Sequence, residues 1–83
     1  MYYAVTFTYD LPTTPASTVH LQRTLPVKAY TEASARYKAV TYIKSTIVKL
    51  YGSDFTITEV KEVPDWEAFQ KVIEAGRSIK KLD

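Results

Sequence analysis

The chain has 83 residues, 46% hydrophobic and 24% charged, with two glycines, four prolines and no cysteine. A chain this short buries only about 60–65% of the surface it exposes when unfolded, so residues 1–83 read as a single domain with one modest core. The missing cysteine excludes disulfides, thiolate chemistry and cysteine-bearing zinc sites, and a net charge of +2 is small for a dedicated nucleic-acid binder.

Residues 2–9 alternate, with Tyr3, Val5, Phe7 and Tyr9 on one side and Tyr2, Ala4, Thr6 and Thr8 on the other, the period-two signal of a half-buried strand. No basic leader precedes this run, and no apolar stretch approaches the roughly 18–20 residues that span a bilayer, so a cytoplasmic protein is expected. Asp10 to Ser17 collects Pro12, Pro15 and small polar residues and reads as a mobile loop. Alternation resumes over 18–29, where Val19, Leu21, Arg23, Leu25, Val27 and Ala29 oppose His20, Gln22, Thr24 and Lys28. Pro26 offers no N–H, so this second strand should be an edge or be bent there.

Thr31 suits an N-cap and Glu32 the positive end of a helix dipole. A helix over 32–51 follows, its buried stripe being Ala39, Val40, Ile43, Ile47, Leu50 and Tyr51. Gly52 is placed to end it. A third strand covers 54–63, with Phe55 and Ile57 in phase and Val60 one residue out, a mismatch that a bulge near Thr58 or Glu59 would reconcile. Pro64 ends the strand and Asp65 caps a second helix over 65–81, in which Trp66, Phe69, Val72, Ile73, Ile79 and Leu82 repeat at helical spacing. Gly76 falls inside that helix, where it costs about 1 kcal/mol relative to alanine unless it permits close packing. The expected fold is α+β, in the order β-β-α-β-α. A three-stranded, mainly antiparallel sheet would have the first helix on one face and the second on the same face or at an end.

The reactive inventory is thin. One histidine, His20, alternates with apolar positions and reads as an exposed strand residue, so no hydrolytic triad assembles. The acids are dispersed without calcium-loop or His-x-x-x-His spacing, two glycines make no phosphate loop, and neither a metal nor a cofactor is expected. Charge is uneven: residues 1–53 hold six Lys/Arg against Asp10 and Glu32, a net +4, whereas 54–83 hold five against seven acids, a net −2. Seven tyrosines exceed what one small core needs, and tyrosines left at a surface often serve interfaces. A partner-binding surface is therefore expected among Tyr2, Tyr9, Arg23, Lys28, Tyr30, Arg36, Lys38, Tyr42, Lys49 and Lys61. The first strand, the second and the Tyr/Thr face of the sheet lack an obvious cover, which invites strand addition or face-on docking.

Leu25-Pro26-Val27-Lys28-Ala29-Tyr30-Thr31-Glu32-Ala33-Ser34-Ala35, an amphipathic helix, and then Phe55-Thr56-Ile57-Thr58-Glu59-Val60-Lys61 together resemble a pattern recurring among small phage-encoded host-takeover and anti-defence proteins. Over residues 19–63 the pattern is most similar to the small inhibitors of bacterial RNA polymerase made by T7-like phages. The resemblance implies a non-enzymatic protein that binds and blocks a bacterial nucleic-acid machine, such as RNA polymerase or a defence complex, in the cytoplasm of an infected host. That family carries a basic pair at the positions of Glu59 and Lys61, of which only Lys61 keeps its charge here, and residues 64–83 have no counterpart. Two other readings stay open. One is a small nucleic-acid-binding module using Arg23, Lys28 and the basic helix 32–51 with Arg36, Lys38, Lys44 and Lys49, and the other an assembly protein whose sheet edge pairs with itself as a homodimer.

Overall fold

A computed structural model describes residues 1–52 and 54–82. Strands β1 (Tyr2–Thr14) and β2 (Ser17–Lys28) form a hairpin. The helical segment comprises α1 (Glu32–Ile43), a π-helical turn (Lys44–Val48) and α2 (Lys49–Tyr51). Strand β3 (Phe55–Val63), helix α3 (Trp66–Ala75) and the two-residue strand β4 (Lys80–Lys81) complete the order. The sheet has four strands in the order β3-β1-β2-β4, every pair antiparallel. The α+β class holds, but a fourth strand joins the expected three, and β1 is the centre of the sheet rather than an uncovered edge.

Burial follows the period-two pattern of β1. Tyr3, Val5, Phe7 and Tyr9 lie with Leu25, Val27 and Ala29 under Ala35, Ala39, Ile43 and Ile47 of the helical segment. Val5, Phe7 and Ile43 are the largest side chains fully removed from water, each contributing about 1.5–3 kcal/mol by transfer alone. Both ends of the segment are capped as expected. Thr31 Oγ1 accepts the Ser34 N–H at 3.1 Å, and Gly52 takes φ 65° past the last turn. The stripe does not hold to its end, because Leu50 and Tyr51 are 72% and 51% exposed. The π turn is the reason: it adds a residue to one turn and rotates the remainder of the helical segment by roughly 100°, so that Val48 packs on the core instead. Ser45 and Thr46 hydroxyls both donate to the Tyr42 carbonyl at 3.0 and 2.7 Å, within this irregular stretch.

Helix α3 lies on the opposite face of the sheet from α1, not on the same face or at an end. Tyr2, which alternates with the core positions, meets Phe69 at a ring-centroid distance of 4.6 Å and Trp66 at 5.9 Å. Ala68 and Val72 border a depression floored by Ala4, Thr6 and Thr24. The Tyr/Thr face is thus partly covered. Asp65 caps α3 as expected, accepting the Ala68 N–H at 2.8 Å. The helix stops at Ala75, six residues short of the expected end, because the chain turns at Gly76 and returns as β4 to pair Lys80 with Gln22 and Lys81 with Leu21. A Cβ at Gly76 would stand 2.6 Å from the Thr24 carbonyl oxygen, so glycine is needed here for close approach.

The expected bulge in β3 is present. Glu59 pairs with Thr6 and Ile57 with Phe7, leaving Thr58 as the extra residue. The expected loop over 10–17 is absent, since β1 and β2 run on as a two-stranded ribbon to a tight turn at Pro15-Ala16. At about 3.3 Å per residue this hairpin accounts for the 43 Å long axis of the molecule.

Candidate functional site: the basic edge of β2

The Leu82 N–H donates to the His20 carbonyl, so the backbone groups of His20 point away from β1. By the alternation of an antiparallel ladder, those of Gln22, Thr24, Pro26 and Lys28 point the same way. Gln22 is met by β4, and Lys80 and Lys81 bring two cations to this edge. Beyond β4 the Thr24 carbonyl is overlain by Gly76. Pro26 has no N–H to present, which satisfies the expectation of an edge position, and the Lys28 carbonyl accepts from Lys38 Nζ at 2.7 Å. Strand addition, expected at β1 or β2, is therefore closed off along β2 from His20 to Lys28.

Beside this edge, between β2 and α1, runs a groove of about 420 Å³ lined by Arg23, Leu25, Pro26, Val27, Lys28, Lys38, Ala39 and Tyr42. Its lining holds the Arg23 and Lys38 cations, one phenol and no carboxylate; Lys28 also borders it, but its side chain, cross-strand from Tyr2, belongs to the other face of the sheet. Each cation is positioned by a neighbour. Arg23 Nε donates to the Gly76 carbonyl at 3.0 Å, Lys38 is tied to the Lys28 carbonyl, and on the α3 side of the strand the Lys28 ammonium lies 5.7 Å from the Tyr2 ring centroid and 5.4 Å from that of Trp66. Among the described residues no lysine or arginine forms an ion pair with a carboxylate. A smaller depression of about 270 Å³ continues from Lys28 and Lys38 to Met1 and to Tyr30, whose side chain is 90% exposed.

The fold thus gathers Arg23, Tyr30, Lys38 and Tyr42 on the α1 side of this edge, while the Lys28 ammonium stands with Tyr2 on the α3 side. Arg36 falls on the other flank of α1 beside Glu32, Ala33, Tyr37 and Val40, and Lys49 lies past the π turn outside the groove. Lys61 sits on β3 at the far edge of the sheet. Tyr9, expected at a partner surface, is a core residue, 6% exposed and stacked on Phe7 at 5.6 Å. Arg36 and Lys38 therefore lie on different flanks of the helical segment. Arg77, Lys80, Lys81 and Trp66 were not among the expected site residues. Gly76 was the available signal, since a glycine that allows close approach to β2 also brings the cations after it to that edge.

His20 and Asp10 are cross-strand partners on the ribbon and contact one another through Nδ1 and a carboxylate oxygen; neither lines the groove. Burial, followed by the charges of Glu62 and Glu32, raises the Tyr3 hydroxyl above its ordinary pKa of 10.0. Tyr9 is raised by burial, with nearby Arg23 opposing. Among the described residues no group of three or more His, Asp or Glu side chains could hold a metal ion, and no helix is long and apolar enough to cross a membrane. No protein-family model, curated protein or solved structure matches the chain.

Proposed function

We propose that the chain is a non-enzymatic binding protein that lays the basic edge of β2 on an acidic surface of a larger protein and thereby blocks it. RNA polymerase or an anti-phage defence complex of a bacterial host are the targets its resemblance implies. The observation that carries this reading is the row of preset cations along one edge, Arg23 and Lys38 beside a groove without a carboxylate and Lys28 on the α3 side of the same strand. Ion pairs with such residues lose little side-chain freedom on binding, and matched charge steers encounter and register. Immobilised protein exposed to bacterial lysate should retain one stoichiometric protein, and the Arg23→Ala/Lys28→Ala/Lys38→Ala variant should lose it. An empty lane, or equal capture by the variant, overturns the proposal.

One observation favours a second reading. Tyr30 stands almost fully exposed beside Lys38, an arrangement able to stack an unpaired base over a phosphate contact. A mobility shift of labelled single-stranded oligonucleotide at low salt that weakens steeply with ionic strength would transfer the site to nucleic acid.

A further inference from the structure

We infer that the free edge of β3 pairs with the β3 edge of a second copy of this chain, antiparallel and centred on Val60, to make one sheet continuous across two protomers. This inference uses the side of the sheet opposite the basic edge and stands independently of the function proposed above.

The two edges of the sheet differ. That of β2 is closed by β4, Gly76, Pro26 and Lys38. Along β3 no strand, proline or side chain among the described residues closes the outer edge over Phe55–Val63. The ladder to β1 assigns the outward groups. Backbone groups of Tyr3, Val5, Phe7 and Tyr9 point to β2, so those of Tyr2, Ala4, Thr6 and Thr8 point to β3 and engage Val63, Lys61, Glu59 and Thr56. The N–H and C=O groups of Val60 and Glu62 therefore face outward. An exposed row of this kind is a template for another strand.

Charge then selects the occupant and the register. Antiparallel pairing of two β3 strands must set outward residues opposite outward residues, which leaves few alignments for the Glu59–Glu62 half. Three of them put Glu59 on Glu59, Lys61 on Lys61, or Glu62 on Glu62, and like charges directly opposed are unfavourable. The alignment centred on Val60 puts Glu59 opposite the partner's Lys61 and Lys61 opposite the partner's Glu59, two cross-strand ion pairs related by the two-fold axis. It also places Thr58 opposite the partner's Glu62. The new ladder thus ends where the Thr58 bulge breaks one strand and Pro64 follows the other.

The surroundings suit this geometry. A two-fold axis normal to the sheet sets both α1 helices on one face. The flank of α1 that carries Glu32, Ala33, Arg36, Tyr37 and Val40, with its depression of about 620 Å³, then turns toward the partner. That flank lies on the β3 side, since Lys38, on the other flank of α1, reaches the Lys28 carbonyl of β2. Tyr37, 73% exposed, stands there to fill the space between the helices.

Light scattering on the full chain should give twice the chain mass. Lys61→Glu faces a carboxylate with Glu59 twice, and its dimer should dissociate at least about ten-fold more readily. The Glu59→Lys/Lys61→Glu double variant restores opposite charges and should recover the dimer. Both side chains are exposed, so circular dichroism should show all variants folded. A wild-type chain that stays monomeric at every concentration overturns the inference. So does a dimer unmoved by Lys61→Glu, or a double variant that remains dissociated.

Discussion

A methyl group added at Gly76 would stand 2.6 Å from the Thr24 carbonyl oxygen and 3.3 Å from Cδ of Pro26. The backbone of β2 cannot recede without breaking its ladder to β1, so Gly76→Ala should cost about 1–3 kcal/mol as overpacking, outweighing any gain in helix propensity. Because the Gly76 carbonyl also holds Arg23, the same change should loosen one cation of the groove. Urea denaturation reads the first effect and partner affinity the second. Gly52 is a different case. Nothing lies within 4 Å of its absent Cβ, but φ is +65°, so Gly52→Ala should cost about 1–2 kcal/mol through backbone strain alone. Buried phenols set the alkaline limit. Tyr3 and Tyr9 are both raised above 10.0, so the folded protein holds these protons more tightly than the unfolded chain. Their contribution is complete below pH 10 and is lost as pH rises through the folded values. Tyr3→Phe should flatten the loss of stability above pH 10, as measured by thermal melts across pH; an unchanged profile would remove Tyr3 from the account.

At the scale of elements, the direction of backbone groups along β2 is open to a proline scan. Pro26 points its nitrogen outward and Val27 points inward to Tyr3. Pro26→Val should leave the melting temperature nearly unchanged, whereas Val27→Pro removes a ladder bond in a strand flanked by the core and should abolish cooperative folding. If Val27→Pro melts like the wild type, the assignment of the outward edge is wrong. The same rule shows which parts of the fold were legible in the sequence. Core alternation in β1 could be read because one face is dry, the caps at Thr31 and Asp65 because their side chains bond locally, and the Thr58 bulge because Val60 falls one residue out of phase. The ribbon over 10–17 could not. Pro12 and Pro15 suggest a loop, yet Pro12 sits where β1 has outrun β3 and its missing N–H faces an open edge, and Pro15 occupies the turn. The π turn was hidden too, because a periodicity reading assumes the α-helical repeat that this turn breaks. Two residues of β4 carry no periodicity, so the cations after Gly76 could be placed on β2 only by the tertiary fold.

Across the whole molecule, the sheet separates two layers of unequal weight. The principal core draws on β1, β2 and the helical segment with Phe55, Ile57 and Val60 of β3, and includes no residue after Val60. Helix α3 covers only the Tyr2 end of the other face. A chain ending at residue 64 should therefore still fold with the α1 side intact. Without Phe69 and Trp66 it exposes Tyr2 and leaves Thr24 and Arg23 without Gly76. Lower stability and stronger binding of an apolar dye should result, with far-UV circular dichroism retained. Loss of α3 also removes the ring of Trp66 from Lys28, and the absence of β4 removes Lys80 and Lys81 from the basic edge. The truncated chain should accordingly bind an acidic partner more weakly and with a shallower dependence on salt, because fewer charges take part. If truncation unfolds the chain, α3 belongs to the core and the division into two layers fails. If it folds and binds with an undiminished salt dependence, the cations after Gly76 are bystanders and the site contracts to Arg23, Lys28 and Lys38.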